Sequence, residues 1–337
     1  MIASSHIMLS IGLGIAAALL IAAAILSGRR GNRRNALFAG ATAAVLAAAA
    51  VVLQLGNTQQ TQSSLDKATV RLPDFDGNGV PDLVFFNRET HAVSMWLLAA
   101  GAPVSVASTP LTQPAATDWE PVAVAASVAG ERKPGIILQN RKTRQISMWV
   151  MSGANGTEMK RSIELGTVPA EGWTVFAAAD VDRNGITDLL LWNGATQQVS
   201  AWLLADGESG ATVTESPVIG TVVQGWTPQA ACDLDGNGRA DLVLQNGETR
   251  QVSFWLFGGA SGFQRLDTPV IQAAAEGWAV RGCTDLDKSG GPDIILQNSH
   301  SGGLSAWLMG GDKGLTTLST PTMQPVSAGW LMVPTGF

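Results

Sequence analysis

Four stretches of the chain repeat one acidic pattern, Asp-x-Asp-x-(Asn/Ser)-Gly-x-x-Asp. They are Asp74, Asp76, Asn78 and Asp82; Asp180, Asp182, Asn184 and Asp188; Asp233, Asp235, Asn237 and Asp241; and Asp285, Asp287, Ser289 and Asp293. Side-chain oxygens at positions 1, 3, 5 and 9, with backbone carbonyls at position 7 (Val80, Ile186, Arg239 and Gly291), suit Ca²⁺, which collects about six to eight hard oxygens. The glycine at position 6 lets the chain turn sharply around an ion. Three carboxylates within nine residues repel one another unless a cation lies among them, so up to four Ca²⁺ sites are expected. Asx-turns without metal are the alternative, and Ser289 weakens the last donor set. Position 12 is Phe85, Leu191, Leu244 or Leu296 rather than the bidentate Glu of an EF-hand, so each loop runs into a strand. A fifth equivalent stretch, Ser127 to Gly135, lacks these ligands and carries Arg132 and Lys133. No ion is expected there.

The elements that must hold these loops follow from a repeat. Trp96, Trp149, Trp202, Trp255 and Trp307 sit in Ser-x-Trp-(Leu/Val) strings at intervals of 53, 53, 53 and 52 residues. A second series runs through Trp119, Trp173, Trp226, Trp278 and Trp330, and an Asn recurs at 87, 140, 193, 246 and 298. Each unit reads as a strand, an acidic loop, a short apolar strand, a polar turn and a returning strand. A fourth strand is placed in the Thr-, Val- and Pro-containing stretch that follows. Short strands punctuated by turns indicate all-β structure, and about 50 residues per four-stranded unit is the size of a propeller blade. Residues 67–337 are therefore expected to form a five-bladed β-propeller. Trp330 to Phe337 copies the first strand of a sixth unit and is expected to close the ring on blade one. The Trp residues at fixed places are expected in the inter-blade core, with Trp192, outside both series, as a candidate for a special contact. The repeated Asn is expected to cap the hairpin turn.

Asp74-Phe-Asp-Gly-Asn-Gly-Val-Pro-Asp-Leu, with the order Gly-Trp…Asp…Asn…Ser-x-Trp-Leu, resembles the FG-GAP/VCBS repeat family over about residues 68–337. That resemblance implies a calcium-binding propeller, as in integrin headpieces and some fungal lectins. It also implies a binding or scaffolding role outside the cell, usually without catalysis. Five units depart from the seven blades common in that family.

The first 56 residues read differently. Ile7 to Leu26 and Ala36 to Leu55 are apolar runs of 20 residues, each long enough to cross a hydrocarbon core of about 30 Å. Ser27 to Asn35 holds the four Arg of this region and is expected on the cytoplasmic side. The chain is thus expected to span the membrane twice, with both termini and the propeller on the extracytoplasmic (periplasmic or extracellular) side. Residues 57–66 form a polar linker. A signal peptide with its n-region at Arg29 to Arg34 is the alternative, and it exports the rest as well. The net charge of −6 is the balance of +4 over residues 1–65 and −10 over the remainder, so nucleic acid is not an expected partner.

Cys232 and Cys283 precede acidic loops of adjacent units at opposite strand parity, which would let them meet between blades. An exported location permits a disulfide; two separate buried thiols are the alternative. The three histidines stand apart, and no Gly-x-Ser-x-Gly elbow or phosphate loop is present. With nearly every clustered carboxylate assigned to metal, no catalytic residue is expected and the chain is read as not an enzyme. The leading expectation is a non-catalytic interaction scaffold, an accessory subunit docking on a membrane protein complex or cell-surface protein. A glycan-binding surface protein is the first alternative. A propeller hydrolase is the second, needing a carboxylate outside the loops such as Glu171 or Glu276.

Overall fold

The computed structural model describes residues 72–336, with positions 100, 102–104, 129, 132, 208–209, 260–261 and 312–313 excepted. The expected membrane helices at 7–26 and 36–55, the Arg loop and the linker lie outside the described residues. Among the described residues no helix is long and apolar enough to cross a membrane.

Five antiparallel sheets form the blades of a propeller. The third shows the plan: Trp173–Ala179, Asp188–Asn193 and Gln198–Ala205 pair in order, and the outer position is shared by Thr212–Glu215 and Val218–Thr221. The second strand of a blade is buried on both faces, as in Gly135–Asn140, where all six residues are buried. Neighbouring blades cover both sides, which is why these strands read as unbroken apolar runs rather than alternating ones. The outer strand of the second blade, Glu158–Thr167, runs unbroken, whereas in the other four blades the outer edge breaks at a proline, which cannot donate to the ladder. In those blades the serine of the Ser-x-Trp string ties the break down: Ser200, Ser253 and Ser305 donate to the carbonyls of Pro217, Pro269 and Pro321 at 2.8–2.9 Å, and Ser94 to that of Pro110 at 3.3 Å. Each repeated Asn caps its turn as expected; Asn193 Oδ1, for example, accepts from the Ala195 and Thr196 amides at 3.0 and 3.1 Å.

The core is five clusters, one between each pair of blades. Every cluster contains one tryptophan of the first series, each no more than 8% exposed. Trp192 is half-buried and packs against the cluster between the third and fourth blades, so it holds the core rather than a special contact. The fourth and fifth blades are joined covalently, Cys232 to Cys283, with Cα atoms 6.2 Å apart. Both cysteines are fully buried. Closing a loop of this sequence separation, 51 residues, is worth about 4 kcal/mol in the chain-entropy picture.

The ring closes as expected. Trp330–Met332 is the innermost strand of the first blade, pairing with Leu83–Asn87 through Phe85–Met332, Phe86–Leu331 and Asn87–Trp330. The chain then runs up the axis. Thr335 bridges Val124 of the second blade and Gly282 of the fifth, and Gly336 meets the Ala178 and Ala231 carbonyls so closely that a Cβ would not fit.

Candidate functional site

The acidic loops lie at one end of the blades, between the first and second strands. In the third blade Asp188 opens the second strand and is fully buried. Its carboxylate accepts from the Val181 amide at 2.9 Å and the Leu204 amide at 2.7 Å, which ties the loop to the third strand. Asp180 accepts from the amides of Arg183, Asn184 and Gly185, and Asp182 from that of Asn184. The Asn184 amide donates to the Leu204 carbonyl at 2.7 Å while its oxygen accepts from Ile186. Gly185 has φ 83°, a conformation L residues rarely adopt.

The first, fourth and fifth blades repeat the scheme: Asp82, Asp241 and Asp293 each hold two amides at 2.7–2.9 Å. Ser289 is too short to copy the side-chain bond that Asn78, Asn184 and Asn237 make to the third strand. The carbonyls of Val80, Ile186, Arg239 and Gly291 belong to these same turns.

In each of the four loops the three aspartates offer oxygens that lie within 4.8 Å of one another. Two ligands on opposite sides of a cation at about 2.4 Å are separated by that span, so the residues present fit a hard cation. Electrostatics point the same way. Burial, offset by the backbone amides and reinforced by the neighbouring aspartates, pushes Asp82 and Asp188 up to about 7, Asp241 to about 8 and Asp293 to about 6. Burial also raises Asp180, Asp233 and Asp285. In the fifth blade Asp285 Oδ1 is buried with no hydrogen-bond donor, an acceptor left for a cation.

The second blade is built differently. Gly135 stands where the others have the buried aspartate, and a Cβ there would lie 2.9 Å from Val128 Cγ2 and 3.0 Å from the Trp149 carbonyl. Lys133 reaches the Phe75 carbonyl of the first acidic loop and the Ala154 carbonyl. Ser127 donates its amide to Thr187 Oγ1 and its hydroxyl to the Gly185 carbonyl of the third loop. The blade without an aspartate cluster is thus bonded to the acidic loops on both sides.

Where the first and second blades meet at this end, a cavity of about 1010 Å³ opens, lined by Asp74, Glu131, Lys133, Ser152 and Lys160 among others. Lys160 donates to both Glu131 oxygens at 3.0 Å, and Arg161 pairs with the same carboxylate at 3.2 Å. Burial alone would raise Glu131, but these two cations outweigh it and hold the carboxyl below its usual range. This site has no sequence motif; its only trace is the charged string Glu131-Arg132-Lys133 where a metal loop is missing. Glu171 and Glu276 are exposed and precede the innermost strands, at the opposite end of the blades from the loops.

No protein-family model and no curated relative matches the chain. Similar solved structures are propellers of low identity. A periplasmic gluconolactonase from Pseudomonas aeruginosa is 16% identical, with 74% of this chain and 69% of that chain covered at a TM-score of 0.36. A protein of Bacteroides uniformis, a candidate 6-phosphogluconolactonase, is 12% identical over 76% and 71% at 0.38. The calcium-binding protein regucalcin from Agrobacterium tumefaciens is 8% identical over 77% of each chain, also at 0.38. The likeness is one of fold, and no site residue is carried across. The expectations of a non-catalytic scaffold and of a chain that is not an enzyme are corrected this far: the fold is one that lactonases also use, so it does not exclude catalysis. The physical error was to treat carboxylates assigned to metal as spent. Carboxylates grouped so that they could hold an ion, one of them lining a cavity, are themselves a place for chemistry.

Proposed function

We propose that this protein is a calcium-dependent propeller hydrolase acting on small esters or lactones in the cavity between the first and second blades. The observation that carries this reading is the meeting of Asp74, from a metal loop, with Glu131, Lys133 and Lys160 in one cavity of ligand size. Lys133 spends two of its three protons on carbonyls and Lys160 two on Glu131, leaving each one to donate to an oxyanion as a carbonyl is attacked. Glu131 acts as a positioning residue, fixing Lys160. When bound, a Ca²⁺ ion supplies charge that polarises an ester oxygen.

The metal assignment is Ca²⁺ in the first, third, fourth and fifth loops, on the side-chain oxygens described above and the carbonyls of Val80, Ile186, Arg239 and Gly291. The FG-GAP/VCBS resemblance supports that choice of ion. We place the propeller on the extracytoplasmic side of a membrane, anchored by residues 1–56. The Cys232–Cys283 bond supports an oxidising compartment.

The test is hydrolysis of gluconolactone and of an aryl ester by the full chain in detergent, with Ca²⁺ and with chelator. Turnover that needs Ca²⁺ and falls at least tenfold in Lys160→Ala supports the proposal. A rate equal to buffer on both substrates overturns it.

A further inference from the structure

The end of the propeller opposite the metal loops carries an unpaired charge. In the innermost strands of the second to fifth blades, one residue bulges out of the ladder: Val122, Phe176, Gln229 and Arg281. Three of the four are uncharged. Arg281 lies one residue before Gly282, where Thr335 crosses the axis, so the arginine stands on the turn side of that plug.

Arg281 is half-buried, and its Nε is fully buried without a hydrogen-bond partner. Among the described residues no carboxylate pairs with it. Burial lowers its pKa first, and the charge of Arg88 lowers it further. Arg88 comes from the first-blade turn, and its carboxylate partner, Glu120, is shared: Arg88 binds it at 3.3 Å and Arg141 at 2.7 Å. Turn residues equivalent to Arg88 and Arg141 in the other blades are Gly194, Gly247 and Ser299, so an arginine stands at this turn position in the first two blades alone. A buried Nε–H without a partner is costly unless an acceptor meets it, and the planar guanidinium fork matches an oxyanion.

We propose that Arg281 anchors a binding site for a small oxyanion at the turn-side mouth of the propeller axis, with the charge of Arg88 adding to the field there. The ligand carries a carboxylate or a tetrahedral sulfate- or phosphate-type group. This site is separate from the cavity on the metal-loop side and does not depend on the hydrolase reading.

The experiment is calorimetric titration of the calcium-loaded full chain with sulfate, and in parallel with acetate, neither of which strips Ca²⁺ appreciably. One equivalent of at least one anion is expected to bind, weakening as chloride is raised. Arg281→Gln should weaken binding at least tenfold, and Arg281→Lys should retain part of it, while the calcium-dependent melting of both stays that of the parent. Arg88→Gln, on an exposed turn, gives an independent reading with a loss of about threefold or more. Saturation by sulfate alone assigns a tetrahedral ligand, and by acetate alone a carboxylate. No saturable heat with either, or an unchanged affinity in Arg281→Gln, overturns the proposal.

Discussion

The second and third blades share a fold and differ in what fills the loop between their first two strands. In the third blade Asp188 is fully buried and takes two amides, beside two further carboxylates. In the second, Gly135 leaves no room for a side chain, Val128 occupies the space, and Lys133 and Ser127 reach out to the loops on either side. One blade is organised around a charge that needs a counter-ion, the other around packing and hydrogen bonds. A repeat therefore specifies the strand frame and leaves the loop free to be a metal site or a brace. The cavity opens where the two kinds of loop meet.

The largest expected effect sharpens this contrast. Chelation should lower the melting temperature by more than about 10 °C, because each site held at a hundredfold excess over its Kd contributes about 2.7 kcal/mol. Calorimetry with and without chelator measures it. Next comes Cys232→Ser with Cys283→Ser, which should cost about 4 kcal/mol in denaturant unfolding, whether or not Ca²⁺ is present. Asp188→Ala should follow closely, costing about 3 kcal/mol in chelator as the Val181 and Leu204 amides lose their acceptor, and with Ca²⁺ present it should bind one equivalent fewer. Gly135→Asp should destabilise by about 2 kcal/mol through overpacking against Val128 and add no Ca²⁺; a gained equivalent would break the comparison.

The smallest effect is one of pH in chelator. Folded pKa values of about 6 to 8 exceed the ordinary carboxylate value, so the folded protein holds more protons than the unfolded chain between about pH 4 and pH 8. Metal-free stability should fall as pH rises through that window. Saturating Ca²⁺ should abolish this slope, since the ion displaces those protons from the folded protein.

The frame was legible because it is periodic. Ten tryptophans on one spacing predicted the five inter-blade clusters, and the incomplete first unit predicted that Trp330–Met332 would serve it. The acidic loops were legible because their ligands are local, within nine residues. The cavity was not, because its walls come from Asp74, Glu131 and Lys160, on separate elements, and nothing local announces such a meeting. The scaffold reading failed for the same reason: it counted carboxylates without their surroundings. Arg281 was invisible because a bulge, not a motif, sets it at the axis.

The strand that completes the first blade has a consequence for biosynthesis. Leu83–Asn87 leaves the ribosome long before Trp330–Met332, the partner with which it pairs. Until then the first blade lacks its inner strand, and the axis lacks the segment that bridges the second and fifth blades. Such a long-range pairing is slow to form and leaves a sheet edge open to other chains. Chains stalled or trimmed before residue 330 should therefore be ready substrates for proteases, because the first blade has no inner strand until that segment is made.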